Sequence, residues 1–120
     1  MARIEFKNLD QIINMGGPWV GDLYIDGIKI ETNIIECNYI DKIDFFYFVK
    51  FFETSRKQND NFFLVLKIDK NNLKIEMSKE KFDKIYIVDV KDNNMYYTMG
   101  FHKNLKVVSK ILTWEDYGKV

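Results

Sequence analysis

His102 and Cys37 are the chain's single histidine and single cysteine, so any chemistry that needs imidazole or thiolate must come from these two residues. A thiolate–imidazole pair requires contact between them, yet they fall on separate predicted strands, and neither carries the flanking signature of a known nucleophile. A catalytic zinc needs three protein ligands, which one histidine and one cysteine do not supply. Cys37 therefore reads as a small core hydrophobe and His102 as a polar residue at a strand end. Gly16 and Gly21 have the spacing of the two glycines in a phosphate-binding loop. The residues that follow are Asp22 and Leu23, where the motif needs a lysine and a hydroxyl, and an acid there repels phosphate. Asp and Glu are too numerous for any pair to stand out as a glycosidase dyad. No catalytic residue, metal or cofactor is expected, and the chain reads as a non-enzyme.

The elements that would position side chains are mostly strands. Asp22 to Glu31 alternates apolar and polar residues around Asp26-Gly27, a dipeptide suited to the positive φ angles of a type I′ hairpin turn. That register pairs Ile25 with Ile28 and Leu23 with Ile30 on one face, and Tyr24 with Lys29 on the other. Further strands are predicted at Ile34 to Ile40, Phe45 to Glu53, Phe62 to Ile68, Leu73 to Ser78, Ile85 to Val90, Met95 to Phe101 and Val107 to Thr113. Phe45 to Glu53 is apolar on both faces, as a central strand between two layers would be. Its aromatic run is read as buried β structure and not as a ligand-stacking platform. Asn8 to Met15 is expected to form a short helix, with Asn8 as N-cap, Gln11 completing a capping box and Gly16 as the stop. The fold class is thus mainly β: an antiparallel sandwich or open barrel of about seven to eight strands with one short N-terminal helix.

The chain has 120 residues, of which 47% are hydrophobic. It carries neither repeats nor a linker, which suits a single domain over residues 1–120. Eighteen basic and eighteen acidic residues cancel, which disfavours a nucleic-acid binder working by bulk charge. The longest apolar runs, Phe45 to Val49 and Phe62 to Leu66, fall far short of the roughly 20 residues that cross a bilayer. Charged residues from Arg3 to Asp10 interrupt the start, so a soluble, cytoplasmic protein is expected. Charge is nevertheless uneven. Between Val20 and Asp44 the acids Asp22, Asp26, Glu31, Glu36, Asp41 and Asp44 face only Lys29 and Lys42. Such a cluster can dock a basic protein surface, raising association rate and specificity.

The most distinctive stretch is Met15-Gly16-Gly17-Pro18-Trp19-Val20-Gly21-Asp22-Leu23-Tyr24. Its glycines free the backbone, Pro18 stiffens it, and Trp19 is expected to cap the core. Together with Phe82-Asp83-Lys84-Ile85-Tyr86, with Phe101-His102 and with the overall length, it resembles the small cytoplasmic immunity proteins of bacterial contact-dependent growth inhibition and related polymorphic-toxin systems. The resemblance implies a protein, monomeric when free, that binds one cognate toxin domain, often a nuclease, and blocks its active site or substrate entry. The residues it offers for toxin binding are Asp22, Tyr24, Asp26, Glu31, Glu36, Tyr39, Asp41 and Asp44, the carboxylates standing in for nucleic-acid phosphates and the tyrosines supplying contact area. The alternative is a small-ligand-binding barrel or sandwich with an aromatic interior pocket lined by residues such as Phe46, Phe48 or Tyr97.

Overall fold

The computed structural model describes residues 2–11, 18–53 and 61–119, the side chains of Cys37 and Lys119 excepted. Ten strands run through them: β1 (Ile4–Gln11), β2 (Trp19–Ile25), β3 (Ile28–Asp41), β4 (Phe45–Phe52), β5 (Phe62–Asp69), β6 (Lys74–Ser78), β7 (Tyr86–Lys91), β8 (Asn94–Thr98), β9 (Val107–Ile111) and β10 (Trp114–Lys119). All neighbours pair antiparallel, in a seven-stranded sheet ordered β1-β2-β3-β4-β5-β6-β10 and a three-stranded sheet ordered β7-β8-β9. The protein is mainly β, as its alternating sequence requires.

Strand β4 divides the interior. Tyr47, Val49 and Phe51 point to a core shared with Val65 of β5 and with Ile87, Met95 and Tyr97 of the small sheet, which packs on this face. Phe46 and Phe48 point the other way, to a second core with Leu23, Ile34, Leu66 and Ile68. A strand buried on both sides is apolar on both faces, which is why Phe45–Phe52 lacks alternation, with Lys50 as its one charged residue.

The second core is enclosed by the large sheet itself. Three strand spacings separate β1 from β4, about 14 Å in a flat sheet, yet the rings of Phe6 and Phe48 are 6.3 Å apart. Likewise the Tyr117 phenol of β10 comes close enough to Glu31 of β3, across four spacings, for the carboxylate to shift its titration. The sheet therefore curls so that its edges approach over a common apolar filling. Bulges accommodate the curl. Asn8 in β1 and Asn33 in β3 take φ of 57° and 56°, in segments where the register against β2 shifts. Gly21 lies under the first of these, where an added Cβ would stand 2.7 Å from the Lys7 carbonyl oxygen.

Two expectations are corrected. Asn8–Gln11, predicted to open a helix, belong to β1, and residues 12–17 lie outside the described residues. An eight-residue helix is marginal alone, whereas Ile4 and Phe6 pack on the second core and commit the segment to pairing with β2. The strand count also exceeds the expected seven to eight, because β1 and β10 were not foreseen. The hairpin register holds at Ile25↔Ile28 and Tyr24↔Lys29 but slips to Leu23↔Glu31.

The small sheet is fastened to the large one by Asn38. Its Nδ2 donates to the Ile87 carbonyl and its Oδ1 accepts from the Ile87 amide, both at 3.1 Å, so a buried side chain stands in for a strand partner. A second link, Glu80, accepts from the Thr113 amide and hydroxyl at the corner leading into β10.

Candidate functional site

The two ends of the curl are built differently. At one end Lys50, 6% exposed, donates to the Glu31 carboxylate at 3.1 Å and to the Thr32 carbonyl at 2.7 Å. Its ammonium also lies 5.1 Å from the centre of the Phe52 ring. Burial would raise the Glu31 carboxyl, but the Thr32 amide, the Lys50 ammonium and the Tyr117 hydroxyl outweigh it and hold the group below its ordinary value. Burial and the Glu31 charge together push the Tyr117 phenol up to about 12. This end is plugged by a satisfied polar cluster.

The opposite end is open. The β2–β3 hairpin tip, the last residue of β3 and the β5–β6 turn surround a hollow of about 530 Å³ whose apolar floor includes Ile25, Phe46 and Leu73. Asp26 and Asp41 stand at its border with Lys70, whose ammonium pairs with Asp41 and lies 4.5 Å from the centre of the Phe46 ring. Asp26 and Gly27 occupy the hairpin tip with φ of 52° and 82°, the geometry the Asp-Gly dipeptide predicts. The Asp26 carboxylate accepts from the Arg3 amide at 2.8 Å, tying β1 to the tip. In the adjoining turn the Asp44 carbonyl accepts from the Lys70 amide. Beside it, Ile43 is 92% exposed, and Ile28 at the border of the hollow is 47% exposed.

The eight residues singled out in the sequence do not form one patch. Asp26, Asp41 and Asp44 gather at the open end. Asp22 and Tyr24 lie on β2, paired with Lys7 and Glu5 of β1. Asp22 accepts from the Asn8 amide at 2.8 Å and is 3.8 Å from the Lys29 ammonium, while the Lys7 ammonium covers the Tyr24 ring at 4.3 Å. Glu31 belongs to the plugged end. Tyr39, expected to be exposed, is half-buried and stacks on Phe48 with ring centres 5.0 Å apart. Glu36 borders a separate cleft between the sheets together with Trp19, Tyr86 and Phe101. Trp19, expected as a cap on the core, is 47% exposed there.

Sequence reasoning missed Ile28, Ile43 and Lys70. A signal existed for Ile43, an apolar residue in a turn between Lys42 and Asp44 with no strand to hide it. The Cys37–His102 pairing falls on a side chain outside the described residues. Among the described residues, no three His, Cys, Asp or Glu side chains converge to hold a metal, and no helix is long and apolar enough to cross a membrane. Of the residues named for an interior pocket, Phe48 is fully buried against Phe6, Tyr39 and Phe46, and Tyr97 packs edge-on against Phe82.

Comparison with known proteins identifies no relative. No family model, curated protein or solved structure matches the chain. The functional reading accordingly rests on residues and geometry.

Proposed function

We propose that this chain is an immunity protein that binds a cognate bacterial toxin domain in the cytoplasm and blocks its active site or substrate entry, docking through the open end of the curled sheet. In this reading the large sheet is an open barrel, with the small sheet as an outer layer that stiffens its wall. The supporting observation is the coincidence of Asp26, Asp41 and Asp44 with the exposed Ile28 and Ile43 at one end. Carboxylates around a concave apolar site steer a basic surface, such as a nuclease cleft, and fix its orientation. Ile43 offers the partner an anchor that gains by desolvation. Protection would come from binding and not from turnover.

The test is co-expression with the C-terminal domain of the large secreted protein expected from the gene immediately upstream. The chain should restore growth and co-purify with that domain. The triple variant Asp26→Asn/Asp41→Asn/Asp44→Asn should lower the association rate roughly tenfold at low salt and leave the unfolding midpoint within error, since asparagine tolerates the positive φ at position 26. Ile43→Asp should accelerate dissociation. Failure of the wild-type chain to protect would overturn the reading, and unchanged association by the triple variant would remove the open end from the interface.

A further inference from the structure

The three sequence stretches that carry the family resemblance are far apart in the chain, yet Trp19 from the first, Ile85 and Tyr86 from the second and Phe101 from the third border one cleft between the two sheets. Its volume is about 230 Å³, smaller than the roughly 300–1,000 Å³ of sites for drug-sized ligands, so it suits one compact chemical group. Glu36 is the single charged residue among the described residues that line it.

How this molecule treats its other rings is informative. Lysine ammoniums lie within 5.8 Å of the ring centres of Tyr24, Phe45, Phe46, Phe52, Phe62, Tyr96 and Trp114. Trp19, Tyr86 and Phe101 are not among them, and neither are buried rings such as Phe48 and Tyr97; what sets these three apart is that they line a cleft together with Glu36, which has no ion-pair partner among the described residues. Aromatic faces carry negative potential and attract cations, and a carboxylate beside them reinforces the attraction. An anion is repelled by that combination, and an uncharged group gains nothing from the charge of the carboxylate. The walls are also fixed in advance. Phe101 is held edge-on to Phe63 with ring centres 5.4 Å apart. Asn38, another lining residue, is locked by its two hydrogen bonds to Ile87, and Ile85 is fully buried.

We infer that this cleft is a binding site for an organic cation, an alkylammonium or guanidinium group, held by Trp19, Tyr86 and Phe101 and neutralised by Glu36. The inference is independent of the docking role of the open end, which lies among different turns.

The test uses the intact chain, ¹⁵N-labelled, titrated with choline, with its uncharged isostere 3,3-dimethylbutan-1-ol and with N-acetyl-arginine amide. A cation should move the Trp19 indole signal and the amides of Glu36, Tyr86 and Phe101 saturably, with a dissociation constant on the order of 1 mM. The uncharged alcohol should bind at least tenfold more weakly. Glu36→Gln should weaken the cations about fivefold and leave the alcohol unchanged. Either cation binding the tighter supports the proposal: choline points to a free quaternary ammonium as the natural ligand, the arginine derivative to a basic side chain of another protein. Equal binding of the alcohol, shifts that map to another part of the molecule, or no saturation by about 100 mM would overturn it, and these readings on the wild-type chain do not depend on any variant folding.

Discussion

Replacing Lys50 with methionine leaves the length of the side chain nearly unchanged and removes its charge from the plugged end of the sheet. Removing one member of a fully buried ion pair costs about 3–5 kcal/mol because the other charge is stranded. Here the Glu31 side chain keeps 19% of its exposure, and the Thr32 amide and Tyr117 hydroxyl continue to donate to it. The expected loss is therefore about 2–3 kcal/mol, discounted for that residual solvation. With a urea slope of about 1.5 kcal/mol/M, typical of small domains, the midpoint should fall by roughly 1.3–2 M. The double variant Lys50→Met/Glu31→Gln should recover at least half of the loss, since no charge is then stranded and the methionine stem still packs by Phe52. Acid titration adds a second readout. Glu31 is held below its ordinary value of 4.5, so its contribution is present above that pH and disappears as pH falls through the folded-state value. The Lys50→Met variant should lose part of this acid dependence. A Lys50→Met midpoint within about 0.5 kcal/mol of wild type, or a double variant as unstable as the sum of its singles, would refute the argument.

Asn38→Ala strips both partners from the buried Ile87 backbone, so thermal or urea unfolding should show a loss of about 2–6 kcal/mol, from about 1–3 kcal/mol for each unsatisfied group. Gly21→Ala places a methyl against the Lys7 carbonyl and the Leu9 side chain and should cost about 1–3 kcal/mol by overpacking, with the β1 amides losing hydrogen-exchange protection first. Tyr117, whose phenol is pushed up to about 12, contributes stability that is intact below its ordinary value of 10.0 and is lost as pH rises toward the folded-state value. Tyr117→Phe should flatten that alkaline limb in pH-dependent denaturation.

Much of the architecture was legible because period-two patterning is a local signal. The Asp26-Gly27 turn, the two-faced burial of β4 and the Asp92-Asn93 turn between β7 and β8, with φ of 49° and 68°, all follow from residues within a few positions of one another. What escaped was set by contacts distant in sequence. Ile4 and Phe6 alternate as a strand, but Asn8 and Gln11 imitate a helix start; the choice was made by β2 and by an asparagine that relieves a bulge at positive φ. β10 was hidden because its charged residues and Gly118, which sits at a register shift against β6, mask its alternation. Glu31 and Asp41 looked alike in sequence, yet the fold sets one beside the buried Lys50 and the other beside Lys70 at the open hollow.

That division bears on which end would face a partner under the proposed function. Lys50 and Glu31 are mutually satisfied where solvent barely reaches, and separating them would strand a charge, so the plugged end resists exchange with anything from outside. Lys70 and Asp41 make the same kind of pair at the border of an open hollow, with Asp41 more than half exposed. A surface pair of that kind contributes only about 0–1 kcal/mol, so a basic side chain from another protein can displace Lys70 from Asp41 and take its place over Phe46 at little cost. The displaced lysine gains solvent as it leaves Phe46, and the incoming cation meets an aromatic floor and a second carboxylate, Asp26, along the same border. The sheet thus closes one end with rigid electrostatics and leaves replaceable electrostatics at the other, which is why the proposed docking is assigned to the open end.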